Sequence, residues 1–250
     1  MPLRLKNPHS ILAALEKRPQ DVVELRLPTK GGTDAWDAVR QLAEAHHIPL
    51  KQGRPEQRKE RRRRGRREQQ GKTGREGVGE ALVREAPGVP LGDLFADATE
   101  RADGHGLWLG LDCIQDPHNL GAIIRTAAFF GVQGLLMTAD RAAPLSGTVY
   151  DVAAGGLEHV PFSIQINLAR SLELAKEAGL WILGSSEHAE EDVSQVPRDR
   201  PWLLVVGNEA KGLRRLTLER CDQVCRIMPR GAVGSLNASV AAAILIANLA

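Results

Sequence analysis

Apolar positions recur along this chain with two rhythms, and the change falls near residue 107. In "SILAALEKR", Ile11, Leu12 and Leu15 share one side of a helix, with Ser10 placed as its cap. "DVVELRL" alternates and is rich in β-branched residues, which predicts a strand. "TKGGTD" reads as a turn with Thr33 or Asp34 as the next cap. "AWDAVRQLAEAHH" then sets Trp36, Val39, Leu42 and Ala43 on a helical face. "IPL" predicts a short strand, and "GVGEALVRE", Gly77 to Glu85, one more. Residues 1–85 thus read as a small α/β domain, and residues 86–106 as a linker with one short helix.

From Leu107 the pattern becomes a regular alternation of buried strand and amphipathic helix. "LWLGLDCI", "GLLMT", "VPFSI", "LWILGS", "WLLVVG" and "QVCRIM" are near-continuous apolar runs. Between them stand helices in "NLGAIIRTAAFFG", "GTVYDVAAGG", "NLARSLELAKEAG" (Asn167 as cap) and "LTLERCD", and the chain closes on the apolar helix of "GSLNASVAAAILIANLA". Continuous apolar strands alternating with helices predict an α/β fold with a mostly parallel sheet and helices on both faces, over residues 107–250.

Charge changes this picture in one place. The formal net charge is only +2, but residues 51–75 hold twelve Lys or Arg against three Glu. Such segregation points to a polyanion partner, nucleic acid ahead of a merely solvated basic linker. No aromatic residue interleaves these arginines, so phosphate contact rather than base stacking is their expected work. No apolar run reaches the length of a membrane-spanning helix, and the first ten residues lack an export signal. The three cysteines, Cys113, Cys221 and Cys225, do not form a metal-ligand pattern. A cytoplasmic protein with reduced thiols and no metal is the expectation.

In an open parallel sheet, ligands lie beyond the carboxyl ends of the strands. Three polar or glycine-rich loops belong there: "DCIQDPHNLGAIIRTA", "VVGNEAKGL" and "IMPRGAVGSLNAS". None carries a Walker ending or a GxGxxG after a strand. Asn119 reads either as a helix cap or as a site residue. Arg125 reads either as a solvated helix cation or, given its apolar neighbours, as a functional one. Glu209, between Gly207 and Gly212, calls for a partner such as Arg125 or a backbone N–H. Ser235, Asn237 and Ser239 precede the last helix, as caps or as a site.

"DPHNLGAIIRTAAFFGV", "LLVVGNEAKGL" and "RIMPRGAVGSLNASVAAAI" resemble the three ordered motifs of the SpoU branch of the SPOUT RNA methyltransferases. The resemblance implies transfer of a methyl group from S-adenosylmethionine to a ribose 2′-hydroxyl. It also implies a C-terminal trefoil knot, an exception to the usual rule against knotting, and a homodimer through the catalytic domain, each site being built at that interface. It marks Asn119, Arg125, Glu209, Ser235 and Asn237 as catalytic positions. Gly207, Ile227 and Leu236 fall on the cofactor-contacting positions, mostly through main chain. Ser239 is left a structural role. Arg125 is implied either as the base, once a substrate phosphate lies beside it, or as a phosphate anchor only. The order Ile227-Met228-Pro229 departs from the Ile-Pro-Met usual in the family. Residues 1–85 are similar in pattern to the ribosomal-protein-like RNA-binding domain of the rRNA guanosine methyltransferases of this branch, which implies a guanosine of large-subunit rRNA as target. A tRNA ribose methyltransferase and an inactive ribosome-assembly protein are the alternatives.

Overall fold

The computed structural model describes residues 2–28, 33–52 and 79–250. The basic run, Lys51 apart, therefore lies outside the described residues. The chain forms two compact units, Met1–Glu85 and Ala86–Ala250.

In the first unit, β1 (Leu3–Leu5), α1 (Pro8–Lys17), β2 (Val22–Leu27), α2 (Asp34–Ala45), β3 (Leu50–Gln52) and β4 (Glu80–Val83) form a four-stranded sheet in the order β1-β4-β2-β3. β1, which the pattern did not announce, pairs antiparallel with β4, and β2 pairs parallel with β3. Helix α1 begins earlier than expected. Asn7, not Ser10, is its cap and accepts the His9 N–H at 2.9 Å, while Ser10 is buried inside the helix. Pro8 fits the first helical position because no donor is needed there. Ile11, Ala14 and Leu15 of α1 and Trp36, Val39 and Ala43 of α2 are buried with Leu5, Leu25, Ala81 and Val83 of the sheet.

The second unit opens with α3 (Leu91–Phe95) and α4 (Ala98–Ala102), two short helices where one was expected. Residues 86–106 pack into the core here, which a free linker would not. Leu94, Phe95, Ala98 and Ala102 join Trp108, Leu172, Ile182 and Leu203 in one apolar cluster. The remaining elements are β5 (Leu107–Asp112), α5 (Pro117–Phe129), β6 (Leu135–Thr138), α6 (Gly147–Ala153), α7 (Gly156–His159), β7 (Phe162–Gln165), α8 (Leu168–Glu177), β8 (Trp181–Ser185), β9 (Glu191–Asp192), β10 (Trp202–Gly207), α9 (Arg215–Leu218), β11 (Gln223–Arg226) and α10 (Ala238–Leu249). The short α7 and β9 were not foreseen.

The seven strands run parallel in the order β7-β6-β5-β10-β8-β11-β9. Every residue of β5 and β10 is buried, so both faces of the sheet centre are covered. One face carries the cluster built by α3, α4 and α8. Helices α5, α6, α7 and α10 pack together as a second layer. Gly121 makes the α5–α6 approach possible, since a Cβ there would lie 2.7 Å from the Val152 Cβ. Strands β5 and β10 are adjacent at the sheet centre although about ninety residues separate them, so their two following loops emerge side by side.

Candidate active site

Helix α5 is capped by Asp116, which accepts the His118 N–H at 2.9 Å, and Pro117 occupies its first position. Asn119 therefore has no capping work. Its side chain is buried, 7% exposed, and spans two other motifs. Its Nδ2 donates to Glu209 Oε1 at 3.1 Å, and its Oδ1 accepts from Asn237 Nδ2 at 3.0 Å. Asn237 does cap α10, accepting the Ser239 N–H at 2.9 Å and the Ser239 hydroxyl at 2.6 Å. One amide thus caps α10 with its oxygen and reaches Asn119 with its nitrogen. Ser239 has the structural role expected of it.

Glu209 is reached by Asn119, by Asn208 Nδ2 at 3.2 Å and by the Gln115 and Asp116 N–H groups at 3.5 and 3.4 Å. Backbone N–H groups thus partner it, and Arg125 does not. Arg125 lies two turns into α5 and is exposed, on the same side as Phe129 four residues on.

Glu209 sits on a tight loop after β10. Asn208 and Gly212 exchange main-chain hydrogen bonds of 3.0 and 2.9 Å, and Asn208 Oδ1 accepts the N–H groups of Ala210 and Lys211. The loop folds back onto Gly207 so closely that a Cβ there would meet the Gly212 carbonyl carbon at 2.2 Å. Beside it opens a cleft of about 530 Å³, walled by Gly207, Ile227 and Leu236 together with Glu209 and Ser235. The three positions assigned to the cofactor and two of the five assigned to catalysis therefore share one cavity. Asn119 and Asn237 join it through Glu209, and Arg125 is not among its walls.

The Met228-Pro229 order has a local consequence. Proline at 228 would bring no donor, whereas the Met228 N–H is held by Asp192 Oδ2 at 2.9 Å. The Ser194 hydroxyl and N–H, and then the Met228 N–H, hold the Asp192 carboxyl below the usual carboxylate range.

Sequence reasoning missed Asp112, at the end of β5. It is fully buried and pairs with Arg214 and Thr217. An acid closing an apolar strand, "LWLGLD", was the available signal. It also missed Cys113, a non-glycine residue at φ 62°, whose N–H donates to Thr138 Oγ1 at 2.9 Å. Burial, the first cause, pushes the pKa of all three thiols up, those of Cys221 and Cys225 to about 12, so it favours the neutral thiol.

The model of the SpoU rRNA Methylase family matches residues 106–247. The chain is 37% identical to the 23S rRNA (guanosine-2′-O-)-methyltransferase RlmB of Pseudomonas aeruginosa, over 95% of this chain and 92% of that protein. It is 43% identical to the enzyme of the same name from Nitrosomonas europaea, over 70% of this chain and 66% of that protein. Among solved structures it resembles the SpoU methyltransferase AviRb from Streptomyces viridochromogenes in complex with the cofactor AdoMet. The TM-score is 0.71 at 23% identity, covering 99% of this chain and 89% of that one. The family model spans all three polar loops that converge on Asn119, Glu209 and Asn237, and the chain belongs to the SpoU rRNA methylase family.

Proposed function

We propose that this chain methylates the 2′-hydroxyl of a ribose in rRNA, with a guanosine of the large-subunit RNA as its target and S-adenosylmethionine as the donor. The observation that carries this reading is the Glu209–Asn119–Asn237 chain beside a cleft walled by Gly207, Ile227 and Leu236. The cleft fits the cofactor. Its volume falls in the range of small-molecule sites, its walls carry Leu218, Ile227, Leu236 and Leu245, and Glu209 and Ser235 supply polar ends. Bound there, S-adenosylmethionine supplies a methyl group already activated on a sulfonium.

The protein's own work is to place the ribose and help its hydroxyl lose a proton. Asn119, Glu209 and Asn237 form a connected set whose members fix one another's rotamers, and Ser235 stands exposed at the cleft edge. Arg125 is assigned to the phosphate beside the reacting ribose, because a guanidinium fork can hold a phosphate oxygen and face a hydroxyl together. A homodimer through the catalytic domain is supported by apolar side chains left open on α5 and α10: Phe129 is 83% exposed and Val240 47%. The trefoil knot is supported by strand order, with β10 inserted between β5 and β8. RNA binding by residues 1–85 is supported by the charge of residues 51–75, and a cytoplasmic location by three free cysteines.

Ribose-methylation mapping of rRNA and tRNA from cells with and without the protein tests the function. Loss of one methyl group from large-subunit rRNA is expected. An unchanged rRNA map alongside a lost tRNA methyl group would refute the rRNA target. Calorimetry with S-adenosylhomocysteine tests the cleft, and no binding at millimolar ligand would refute the cofactor.

A further inference from the structure

Asp112 is the last residue of β5, directly opposite Gly207 in the register with β10, and it is fully buried. A carboxylate in that position is costly unless its oxygens are well supplied with donors. Oδ1 accepts Arg214 Nε at 2.6 Å, while Oδ2 accepts the Arg214 N–H at 3.1 Å and the Thr217 hydroxyl at 2.8 Å. All three donors come from residues 214–217, immediately behind the loop that carries Glu209. The front of that loop is tied to the next residue of the same strand end, since Asn208 Nδ2 donates to the Cys113 carbonyl at 2.9 Å. Two consecutive residues, Asp112 and Cys113, thus hold both ends of the Glu209 loop.

We propose that Asp112 is the positioning residue that sets the Glu209 loop against Asn119, a role that rests on the methyltransferase reading of this site. The β5–β10 ladder ends at the Asp112–Gly207 pair, so no strand pairing guides the chain beyond it. The contacts Glu209 makes for itself are single bonds of 3.1 to 3.5 Å, two of them long, and they cannot locate a loop. Two of the three bonds to Asp112 are shorter than any of these, one is an ion pair, and all converge from one short segment. A buried ion pair contributes little net stability compared with apolar packing. What three converging donors supply is a single location for the segment they belong to. Asp112 is not among the walls of the cleft, so it acts through Glu209 and not on the reacting atoms.

The test uses the full-length protein and Asp112→Asn, which keeps the shape and removes the charge. Amide hydrogen exchange over residues 208–214 should rise, kcat should fall by about a hundredfold, as for a misplacement near 1 Å, and the KM for RNA should stay within about twofold. Asp112→Asn combined with Arg214→Gln should recover most of the lost kcat, because a neutral amide pair restores the tether and removes the unpaired cation. A lowered Tm with wild-type exchange over 208–214 and wild-type kcat would overturn the proposal. Should Asp112→Asn not fold, Thr217→Val carries the test. Faster exchange over 208–214 with a smaller kcat loss supports the role, and wild-type exchange there overturns it. The exchange readout needs neither cofactor nor RNA, so a wild-type protein that bound no S-adenosylhomocysteine would refute the function and leave this test standing.

Discussion

Across β1, β4, β2 and β3 runs a file of opposite charges. Arg4 meets Glu80 at 2.6 Å, Arg26 meets Glu80 at 3.6 Å and Glu24 at 2.8 Å, and Lys51 meets Glu24 at 2.7 Å. At the strand ends of the second sheet the polar bonds run through the buried side chains of Asp112 and Asn119. The first set joins neighbouring strands already held by their ladder, and water screens it. The second joins loops and helix starts that no strand ladder links directly: Asn119 to Glu209 across 90 residues, Asn237 to Asn119 across 118. Polar bonds decorate structure where the backbone is already fixed, and they create structure where the ladder has ended.

Substitutions can break this contrast, starting with the residues proposed to act on the ribose and its phosphate. Arg125→Ala should abolish methyl transfer while leaving S-adenosylhomocysteine affinity near wild type, and Arg125→Lys should not restore it, because a point charge does not replace the fork. Asn119→Ala should be comparably severe, about a hundredfold or more in kcat, since it is no helix cap and its loss strands both Glu209 and Asn237. Single-turnover assays and calorimetry on each variant would check both. An Asn119→Ala enzyme within a few-fold of wild type would reduce the chain through Asn119 to the standing of the surface file.

Gly207→Ala should come next. Its methyl group would meet backbone, not a flexible side chain, so a destabilisation of about 3 kcal/mol should appear as a lower Tm, accompanied by loss of S-adenosylhomocysteine binding.

Asp192→Asn should be milder, a several-fold loss of cofactor affinity through the Met228 turn. Because the folded-state pKa of Asp192 is lowered, its tether is fully present above the ordinary carboxylate range and is lost as pH falls through the lowered value. The affinity gap between wild type and variant should therefore persist through mildly acidic pH and close only in stronger acid. Calorimetry across pH measures it.

The smallest effect belongs to the surface file, where Arg4→Gln should lower stability by at most about 1 kcal/mol in chemical denaturation, with methylation unchanged. A larger loss would erase the contrast.

Much of this was legible in the sequence because strand and helix rhythms differ. The central strands of the second unit, β5, β6, β8 and β10, carry long apolar runs, and Asn167 caps its helix as read, accepting the Arg170 N–H at 3.1 Å. What escaped were features set by partners distant in the chain. β1 is three residues long and exists because Leu3 to Leu5 pair with Val83 to Ala81. α3 and α4 are each five residues long, too short for a clear period, and they are placed by Trp108 and Leu172 beneath them. Ser10 looked like a cap because the first apolar residue follows it, yet Asn7-Pro8 starts the helix one turn earlier. At the site, residue types in the three loops indicated who would gather there. Spacing alone did not indicate that Glu209 would be met by Asn119 instead of Arg125, nor that an acid at the end of a buried strand would reach residues 102 and 105 positions further on.

Those separations also set an order of events in time. Contacts that close large loops form late, because chain entropy is spent before they give anything back. The helices and the β5–β6–β7 portion of the sheet can assemble from local sequence while β10 and α10 are still emerging from the ribosome. Asp112 then waits at the open edge of β5 until β10, Arg214 and Thr217 arrive, and Asn119 waits for Asn237. The enzyme therefore acquires its site only when β10 and α10 complete the sheet centre and its helix layer, and a nascent chain that has gained its first strands and helices has no means of modifying RNA.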